Sequence, residues 1–278
     1  MDAQRERRST PESTAGGASG MAEDASDTSS DRTRLTSDPA AGDGPAAVPV
    51  AVVIPAHDEA SRIALTVLAA RRLPGVDLVV VVDDHSGDST ARVAEESGAT
   101  VVRLPARQGR TAALVAGIAA VTAREAVEVA ESRPRHLLFL DADLQQGAAE
   151  GARLLEPVLA GLADVAVAAR PPGAEPGATA PGGASRRAGR AVERATGFTV
   201  ARPLALEICL TRAALSAAEP LAEGAGAGPG LIIDLQRRGF RIEQVEVPWT
   251  HRPDPRGIRA GLRELSGYRQ VRRALGAR

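Results

Sequence analysis

Short apolar runs rich in Val, Leu and Ile alternate with segments of helical periodicity from Val48 onward. Each run is continuous rather than alternating, which is typical of parallel strands buried on both faces. Because strand and helix follow each other along the chain, the pattern predicts an α/β fold with a mostly parallel central sheet flanked by helices. The predicted strands are VPVAVVIP, DLVVVVD, ATVVRL, RHLLFLD, DVAVAA and RIEQVEVPW.

Helical patterns fill the intervals between these strands. The predicted helices cover 59–72, a segment starting at Asp88, 108–131, 147–159, SRRAGRAVERA, LIIDLQRRG and an arginine-rich C-terminal segment. A Pro- and Gly-rich stretch at 170–183 predicts a mobile loop, for which both a lid over a ligand and a plain linker stay open. The Gly-rich stretch EGAGAGPG predicts a turn.

The two ends of the chain differ in charge from this central part. Residues 1–47 hold five Arg against nine Asp or Glu and have few large apolar residues, which predicts a disordered tail. Residues 251–278 hold eight Arg against two acids. We therefore predict a tail at 1–47, a folded domain at 48–255 and a basic helix at 256–278. That helix either docks on the domain or forms a peripheral anchor on anionic lipid.

Composition excludes several classes of function. Aromatic residues make up only 2% of the chain, so base-stacking platforms are excluded and no nucleic-acid partner is expected. The chain has no lysine, which excludes a Walker-type phosphate loop and a Schiff-base lysine. Cys209 is the only cysteine, so neither an internal disulfide nor a cysteine-rich zinc site can form.

The location of the protein is predicted from two features. The start, MDAQRERRST, is charged and unlike a secretory signal. The longest weakly polar run, Ala112 to Ala123, is far shorter than the roughly 20 residues that cross a bilayer. We expect a cytoplasmic protein, with peripheral contact at the inner face of the membrane through 256–278 left open.

Acidic residues cluster where three of the predicted strands end. These turns read PAHDE at 55–59, DDHSGD at 83–88 and DADLQ at 141–145. In open parallel sheets, ligands bind at the carboxyl ends of the strands. Asp141 and Asp143 would repel each other unless a cation or an arginine neutralised them. Carboxylate oxygens of this kind suit Mg²⁺ or Mn²⁺, which commonly hold a diphosphate as well.

The chain resembles the family 2 glycosyltransferases of the GT-A fold. Four blocks occur in the order and spacing of that family: VVIPAHDEASRI, VVVVDDHSGDST, GATVVRLPARQGRTAALVAGI and HLLFLDADLQ. Within the family, the chain is similar to polyprenyl-phosphate sugar transferases and glucosyl-3-phosphoglycerate synthases. The first strand-to-helix turn lacks a G-x-G-x-x-G pattern, which disfavours a dinucleotide oxidoreductase.

The resemblance implies a nucleotide site built from the first two blocks. The turn that lines the nucleotide corresponds to Pro55, Ala56, His57 and Glu59, with His57 in place of a usual Tyr. Asp84 stands where an acid of the family contacts the base or ribose.

The resemblance also implies a diphosphate and metal site built from the later blocks. Gly109 and Arg110 match an element near the diphosphate, with arginine in place of lysine, and a guanidinium can still hold phosphate. Asp141 and Asp143 match the D-x-D metal and nucleotide-sugar site. Gln145 matches a position that can assist the metal. His251 matches a position where several relatives place a histidine that binds the metal or contacts phosphate, and a plain surface histidine stays open as the alternative. The catalytic residues implied are Asp143 and Arg110.

Two departures from the family pattern lie in the acceptor half. A Ser-Gly-Gln-like turn of close relatives aligns with 205–207, and a G-x-G-x-E element aligns with 224–228, so its acidic residue falls on Gly228. Glu223, Asp234 or Glu207 could substitute for the missing carboxylate. Alternatively, an acceptor that is already an anion, as a phosphate is, would need no general base.

These observations predict a metal-dependent glycosyltransferase that uses a nucleotide-diphosphate sugar as donor. The acceptor is unidentified, with a polyprenyl phosphate or a small phosphorylated molecule as candidates, and inversion and retention both stay open. One alternative is a non-catalytic relative that binds nucleotide sugar or glycan with an acceptor site altered at Gly228. A sugar nucleotidyltransferase would need a Gly-rich basic loop after the first strand, where this chain has PAHDE.

Overall fold

A seven-stranded sheet forms the centre of the computed structural model, which describes residues 48–128, 133–169 and 183–249. The strand order is β3-β2-β1-β4-β6-β5-β7. Among the described strands, β6 alone runs antiparallel to its neighbours, so the predicted mostly parallel sheet is confirmed. The strands are β1 Val50–Ala56, β2 Val76–Asp83, β3 Thr100–Arg103, β4 His136–Phe139, β5 Val165–Ala169, β6 Ile208–Leu210 and β7 Ile242–Glu246.

Helices cover both faces of this sheet. They are α1 Ile63–Ala70, α2 Thr90–Glu96, α3 Arg110–Val127, α4 Ala152–Leu159, α5 Gly183–Thr196, α6 Arg212–Ala218 and α7 Ala227–Arg237. Within the described residues, 3₁₀ segments lie at Ala142–Gly151 and Gly224–Gly226. None of the helices within the described ranges has the length and apolar character needed to cross a membrane.

The core lies on both sides of the sheet because neighbouring residues of each central strand point to opposite faces. In β1, Val53 belongs to the same buried cluster as Leu114 of α3, whereas Ile54 belongs to the cluster of Ile63 and Val67 on α1. The unbroken apolar run of β1 follows from this arrangement, because neither face is exposed to water.

Gly117 allows α3 to lie close to the sheet. A Cβ atom at this position would collide with the Val53 side chain and lie 3.1 Å from Cγ2 of Val82. The close approach fixes the position of α3 over β1 and β2. As a result, the first residue of α3, Arg110, lies at the carboxyl edge of the sheet.

Two predicted boundaries differ from the structure. The helix predicted from about residue 147 begins as α4 at Ala152, because Gln145 has a φ of +52° and the residues after it form a 3₁₀ segment. The turn predicted for EGAGAGPG instead contains the start of α7 at Ala227. Pro229 fits there because the first turn of a helix leaves its N–H groups without helical partners.

Several predictions concern residues outside the described ranges. These are the tail at 1–47, the loop at 170–183 except for its last residue, Gly183, which begins α5, and also His251 and the basic helix at 256–278.

Candidate active site

The carboxyl ends of β1, β2 and β4 lie side by side because β1 pairs in parallel with both β2 and β4. The chain passes from β1 through α1 to β2 on one side and later reaches β4 on the other side. The strand order therefore reverses between β1 and β4, and ligands of open α/β sheets bind in the crevice at such a point. The three acid-rich turns predicted from the sequence meet at this edge.

Asp84 is a buried carboxylate that holds the loop in front of α3. Its Oδ1 accepts a hydrogen bond from the Gln108 backbone N–H at 2.7 Å, and its Oδ2 accepts one from Gly109 at 2.8 Å. Gly109 has a φ of +91°, a conformation that favours glycine. Asp84 thereby fixes the backbone from which Arg110 extends. Its predicted contact with the base or ribose stays a prediction.

The turn after β1 is joined to the turn after β2. The Asp84 backbone N–H donates to the carbonyl of Ala56 at 2.8 Å. Nδ1 of His57 lies 2.9 Å from the carbonyl oxygen of Asp84, and since a carbonyl only accepts, Nδ1 is the protonated nitrogen. The His57 ring is a quarter exposed, and its Nε2 lies 3.3 Å from Oδ2 of Asp58. His57 is thus oriented by the backbone of the second turn.

The remaining predicted residues of the first turn have different surroundings. Pro55 and Ala56 are the last two residues of β1. Glu59 accepts from Arg62 at 2.8 Å, and its backbone N–H donates to the Thr90 hydroxyl at 2.8 Å. The Glu59 carboxylate therefore has an arginine partner of its own.

Thr66 of α1 holds the DADLQ turn that follows β4. Its fully buried hydroxyl donates to the carbonyl of Ala142 at 2.7 Å and accepts from the Gln145 backbone N–H at 2.8 Å. Gln145 has positive φ, and its side chain is exposed. The turn that carries Asp141 and Asp143 is therefore held by Thr66, a residue that no motif in the sequence singles out.

Arg110 lies between two carboxylates at the centre of this edge. Its Nη1 donates to Oδ2 of Asp141 at 3.2 Å, and its Nη2 contacts Oδ1 of the same residue. Nη2 also lies 3.3 Å from Oε1 of Glu207. The other oxygen of Glu207 lies 3.6 Å from Nη2 of Arg202. Two guanidinium groups and two carboxylates thus form one connected cluster.

Exposure differs sharply within the cluster formed by Arg110, Asp141, Arg202 and Glu207. The Glu207 side chain is 1% exposed, whereas Arg110 is 36% exposed and Asp141 is 22% exposed. Burial raises the pKa of Asp141 well above its usual value; the positive charge of Arg110 opposes this rise, and the nearby Glu207 and Asp143 carboxyls add to it. The charged form of Asp141 therefore depends on the guanidinium group beside it.

The residues present fit a divalent cation that shares its coordination with a ligand. Within residues 48–128, 133–169 and 183–249, no three Asp, Glu, His or Cys side chains are grouped as a metal site. Asp141 and Asp143 supply carboxylates at the same edge, and Mg²⁺ is commonly bound by one or two carboxylates while substrate phosphates and water complete its shell. The two carboxylates suit a cation that arrives with a diphosphate.

The segment that precedes His251 is hydrogen-bonded to the chain just after the DADLQ turn. The indole N–H of Trp249 donates to the carbonyl of Gly147 at 2.7 Å, and Gly147 lies four residues after Asp143. His251 itself lies outside the described residues, so its predicted contact with a metal stays a prediction.

Gly228 has no room for a side chain. A Cβ atom there would lie 2.7 Å from the Pro203 carbonyl oxygen and 3.0 Å from that of Ala205. Of the three acids considered as substitutes for the missing carboxylate, Glu207 lies in the cluster with Arg110 and Asp141. Glu207 could have been selected from the sequence, because it is the single acid within the apolar segment LALEICL. Nothing in the sequence around Arg202 marks it as a site residue.

The family of this chain follows from a comparison with known sequences. The sequence model of glycosyl transferase family 2 matches residues 51–194, which is more than half of the chain. The chain therefore belongs to glycosyl transferase family 2. A curated relative, Glycosyltransferase AglJ of Haloferax volcanii, is 29% identical over 217 residues, which are 77% of this chain and 66% of that protein. The chain thus spans just under two thirds of that relative.

Solved structures of glucosyl-3-phosphoglycerate synthase from Mycobacterium tuberculosis share this fold. The complex with phosphoglyceric acid has a TM-score of 0.63 at 27% identity, over 82% of this chain and 79% of that one. The complex with Mn²⁺, UDP and phosphoglyceric acid also has a TM-score of 0.63 at 27% identity, and the match covers 82% of this chain and 77% of that one. The complex with Mg²⁺ and UDP gives 0.62 at 28% identity, over 82% and 78%. The predicted family and GT-A fold are confirmed.

Proposed function

We propose that this chain transfers a sugar from a uridine-diphosphate sugar to a phosphate-bearing acceptor with the help of Mg²⁺ or Mn²⁺. The observation that carries the proposal is the Arg110 guanidinium held against Asp141 at the β1/β4 crevice. An arginine beside a carboxylate at the carboxyl edge can hold the diphosphate and its cation together. The family membership, and the UDP and Mn²⁺ in the similar synthase, support this assignment.

The donor would lie along the turns after β1 and β2. Pro55, Ala56, His57 and Glu59 would line the nucleotide, and Asp84 would contact its base or ribose or act through the loop that it holds. Gly109 and Arg110 would hold the diphosphate, since the N–H groups at the start of α3 and the guanidinium all donate to phosphate oxygens.

Asp141 and Asp143 would hold the divalent cation, with Gln145 and His251 as further ligands. When bound, the cation stabilises the negative charge that develops on the diphosphate leaving group. Arg110 adds a second positive charge from the protein side. Asp143 and Arg110 are therefore the residues on which we expect sugar transfer to depend most strongly.

A phosphate-bearing acceptor is consistent with the surroundings of the donor site. The similar synthase was crystallised with phosphoglyceric acid. Arg202, 27% exposed, adds a guanidinium beside the cluster on the side of β6. Where a phosphate oxygen of the acceptor is itself the nucleophile, it is already an anion and would attack the sugar without a general base, which agrees with the absence of a carboxylate at Gly228.

The site assignment predicts that Asp143→Ala abolishes cation-dependent binding of UDP. The variant loses a cation ligand at the edge where the diphosphate would lie, so we expect at least a ~100-fold fall in UDP affinity in the presence of Mn²⁺. Isothermal titration calorimetry with UDP and with GDP measures this. Glu95→Ala, an exposed acid near the far end of α2, is the matched control and should leave affinity unchanged. Undiminished binding by the Asp143 variant would contradict the assignment.

A second candidate is a protein that binds nucleotide sugar without transferring it. The packing of Gly228 against the 203–205 backbone favours this candidate, because no acid can occupy the position that the family pattern reserves for one. Hydrolysis of UDP-glucose and transfer to phosphoglycerate separate the two functions. UDP binding with neither reaction would support the binding protein.

The basic segment 256–278 would bring the enzyme to anionic lipid. This part of the proposal rests on the seven Arg against one acid within 256–278. We expect full-length protein to co-sediment with vesicles containing anionic lipid and a chain truncated after residue 255 to remain in the supernatant. Equal sedimentation of both chains would eliminate the membrane contact.

A further inference from the structure

Arg110 contacts both carboxylate oxygens of Asp141. Nη1 contacts Oδ2 and Nη2 contacts Oδ1, so the guanidinium forms a two-point pair with the carboxylate. Asp141 is also the residue expected to hold the cation. A cation and the Arg110 guanidinium therefore compete for the same carboxylate oxygens.

Glu207 is placed to keep Arg110 in this position. Its Oε1 lies 3.3 Å from Nη2 of Arg110, and at 1% exposure its carboxylate has almost no access to water. A buried carboxylate needs a nearby positive charge, because desolvation disfavours an isolated charge. Glu207 and Asp141 together therefore stabilise the guanidinium between them.

Arg110 also has a donor that is left unsatisfied in this position. Its Nε is buried and has no hydrogen-bond partner among the described residues. A buried donor without an acceptor costs free energy, and a phosphate oxygen can accept from Nε and Nη together. Over a third of the side chain is exposed, so the guanidinium can turn toward a ligand in the crevice while Asp84 holds the backbone before it.

We propose that Arg110, positioned by Glu207, serves as the internal counter-cation of Asp141 until a nucleotide diphosphate draws it away and opens that carboxylate to the divalent cation. Nucleotide and cation then bind cooperatively, because each favours the arrangement in which Arg110 has left Asp141. This inference rests on the proposed donor and cation site. It assigns Glu207 a positioning role.

Binding of Mn²⁺ alone tests the competition. Electron paramagnetic resonance of free Mn²⁺ gives the affinity of the full chain without nucleotide. Arg110→Met should raise this affinity at least about tenfold, since it removes the positive charge in direct contact with the carboxylate. Arg202→Met is the matched control: it removes the same charge from beside the other oxygen of Glu207, Oε2, and should change the affinity less than about threefold.

The coupling between UDP and Mn²⁺ is the second measurement. In the unmodified chain, saturating UDP should raise Mn²⁺ affinity by more than about thirtyfold, and in Arg110→Met this factor should fall at least about tenfold. Arg110→Lys keeps a positive charge near Asp141, so its Mn²⁺ affinity without UDP should stay as low as that of the unmodified chain. This variant replaces Arg110→Met in the test if the methionine variant does not fold. Thermal melting of each variant establishes folding.

Two results would overturn the inference. One is an equal change of Mn²⁺ affinity in Arg110→Met and Arg202→Met, and the other is a Mn²⁺ affinity of the unmodified chain that UDP leaves unchanged. Failure of the donor site itself gives a different pattern, because Asp143→Ala would then bind UDP and Mn²⁺ as the unmodified chain does. If Asp143→Ala loses UDP and Mn²⁺ binding but Arg110→Met gains no Mn²⁺ affinity, the counter-cation role of Arg110 is rejected while the donor site stands.

Discussion

Replacing Gly228 with alanine is expected to lower the free energy of unfolding by about 1–3 kcal/mol, the cost of forcing a methyl group into a closely packed site. The new Cβ would lie 2.7 Å from the Pro203 carbonyl oxygen and 3.0 Å from that of Ala205. Both are backbone atoms, so α7 or the 203–205 segment must move. Urea-induced unfolding followed by circular dichroism measures the loss.

Gly189→Ala is the matched control for Gly228→Ala. Gly189 is also helical and also lies beside Pro203, but its Cβ would be 3.8 Å from the nearest atoms, at ordinary contact distance. Alanine there should leave stability unchanged or raise it by about 0.4–1 kcal/mol through helix propensity and a less flexible unfolded chain. Equal stability of the two variants would show that the 203–205 segment yields easily.

The close packing at Gly228 also determines the expected stability and activity of the Gly228→Glu variant. The family pattern places an acid at this position, so the substitution restores the pattern in sequence alone. Because the side chain starts against backbone carbonyl oxygens, we expect a less stable protein with no gain in transfer. An acidic residue for the acceptor half of this chain must therefore come from another position.

The strand pattern predicted most of the sheet because burial on both faces leaves a clear mark in the sequence. In DLVVVVD the five residues between the two aspartates are all apolar, and β2 indeed has both faces covered there. The antiparallel insertion of β6 left no such mark. It is three residues long, and its direction follows from pairing with β4 and β5, which are distant in sequence.

In the candidate site, too, some residues could be predicted from the local sequence and others are brought in only by the fold. Asp141 and Asp143 were predictable because two acids directly after an apolar strand have few structural uses. Glu207 joins them only through the fold, since it lies 97 residues after Arg110. Thr66 was equally hidden, because its contacts with the DADLQ turn depend on how α1 packs below that turn.

Asp84→Ala is expected to weaken both the fold and the donor site. The buried carboxylate accepts from the N–H groups of Gln108 and Gly109, and losing two charge-assisted hydrogen bonds should cost about 2–4 kcal/mol of unfolding free energy. The loop before Arg110 would then be unfixed, so UDP affinity in Mn²⁺ should fall at least about tenfold. Urea unfolding without ligand and calorimetric titration of UDP measure the two effects separately.

Asp88→Ala is the control that isolates burial. Asp88 also accepts two backbone N–H groups, from Ala60 at 3.1 Å and Thr90 at 2.9 Å, but its side chain is exposed. Water can replace those bonds, so its loss should cost less than about 1 kcal/mol and leave UDP affinity within about threefold.

The stability and UDP affinity of Asp84→Ala, measured together, also assign the role of Asp84. If Asp84→Ala lost UDP binding at unchanged stability, its carboxylate would contact the nucleotide directly; loss of both is the result expected if it acts through the Gln108–Gly109 loop.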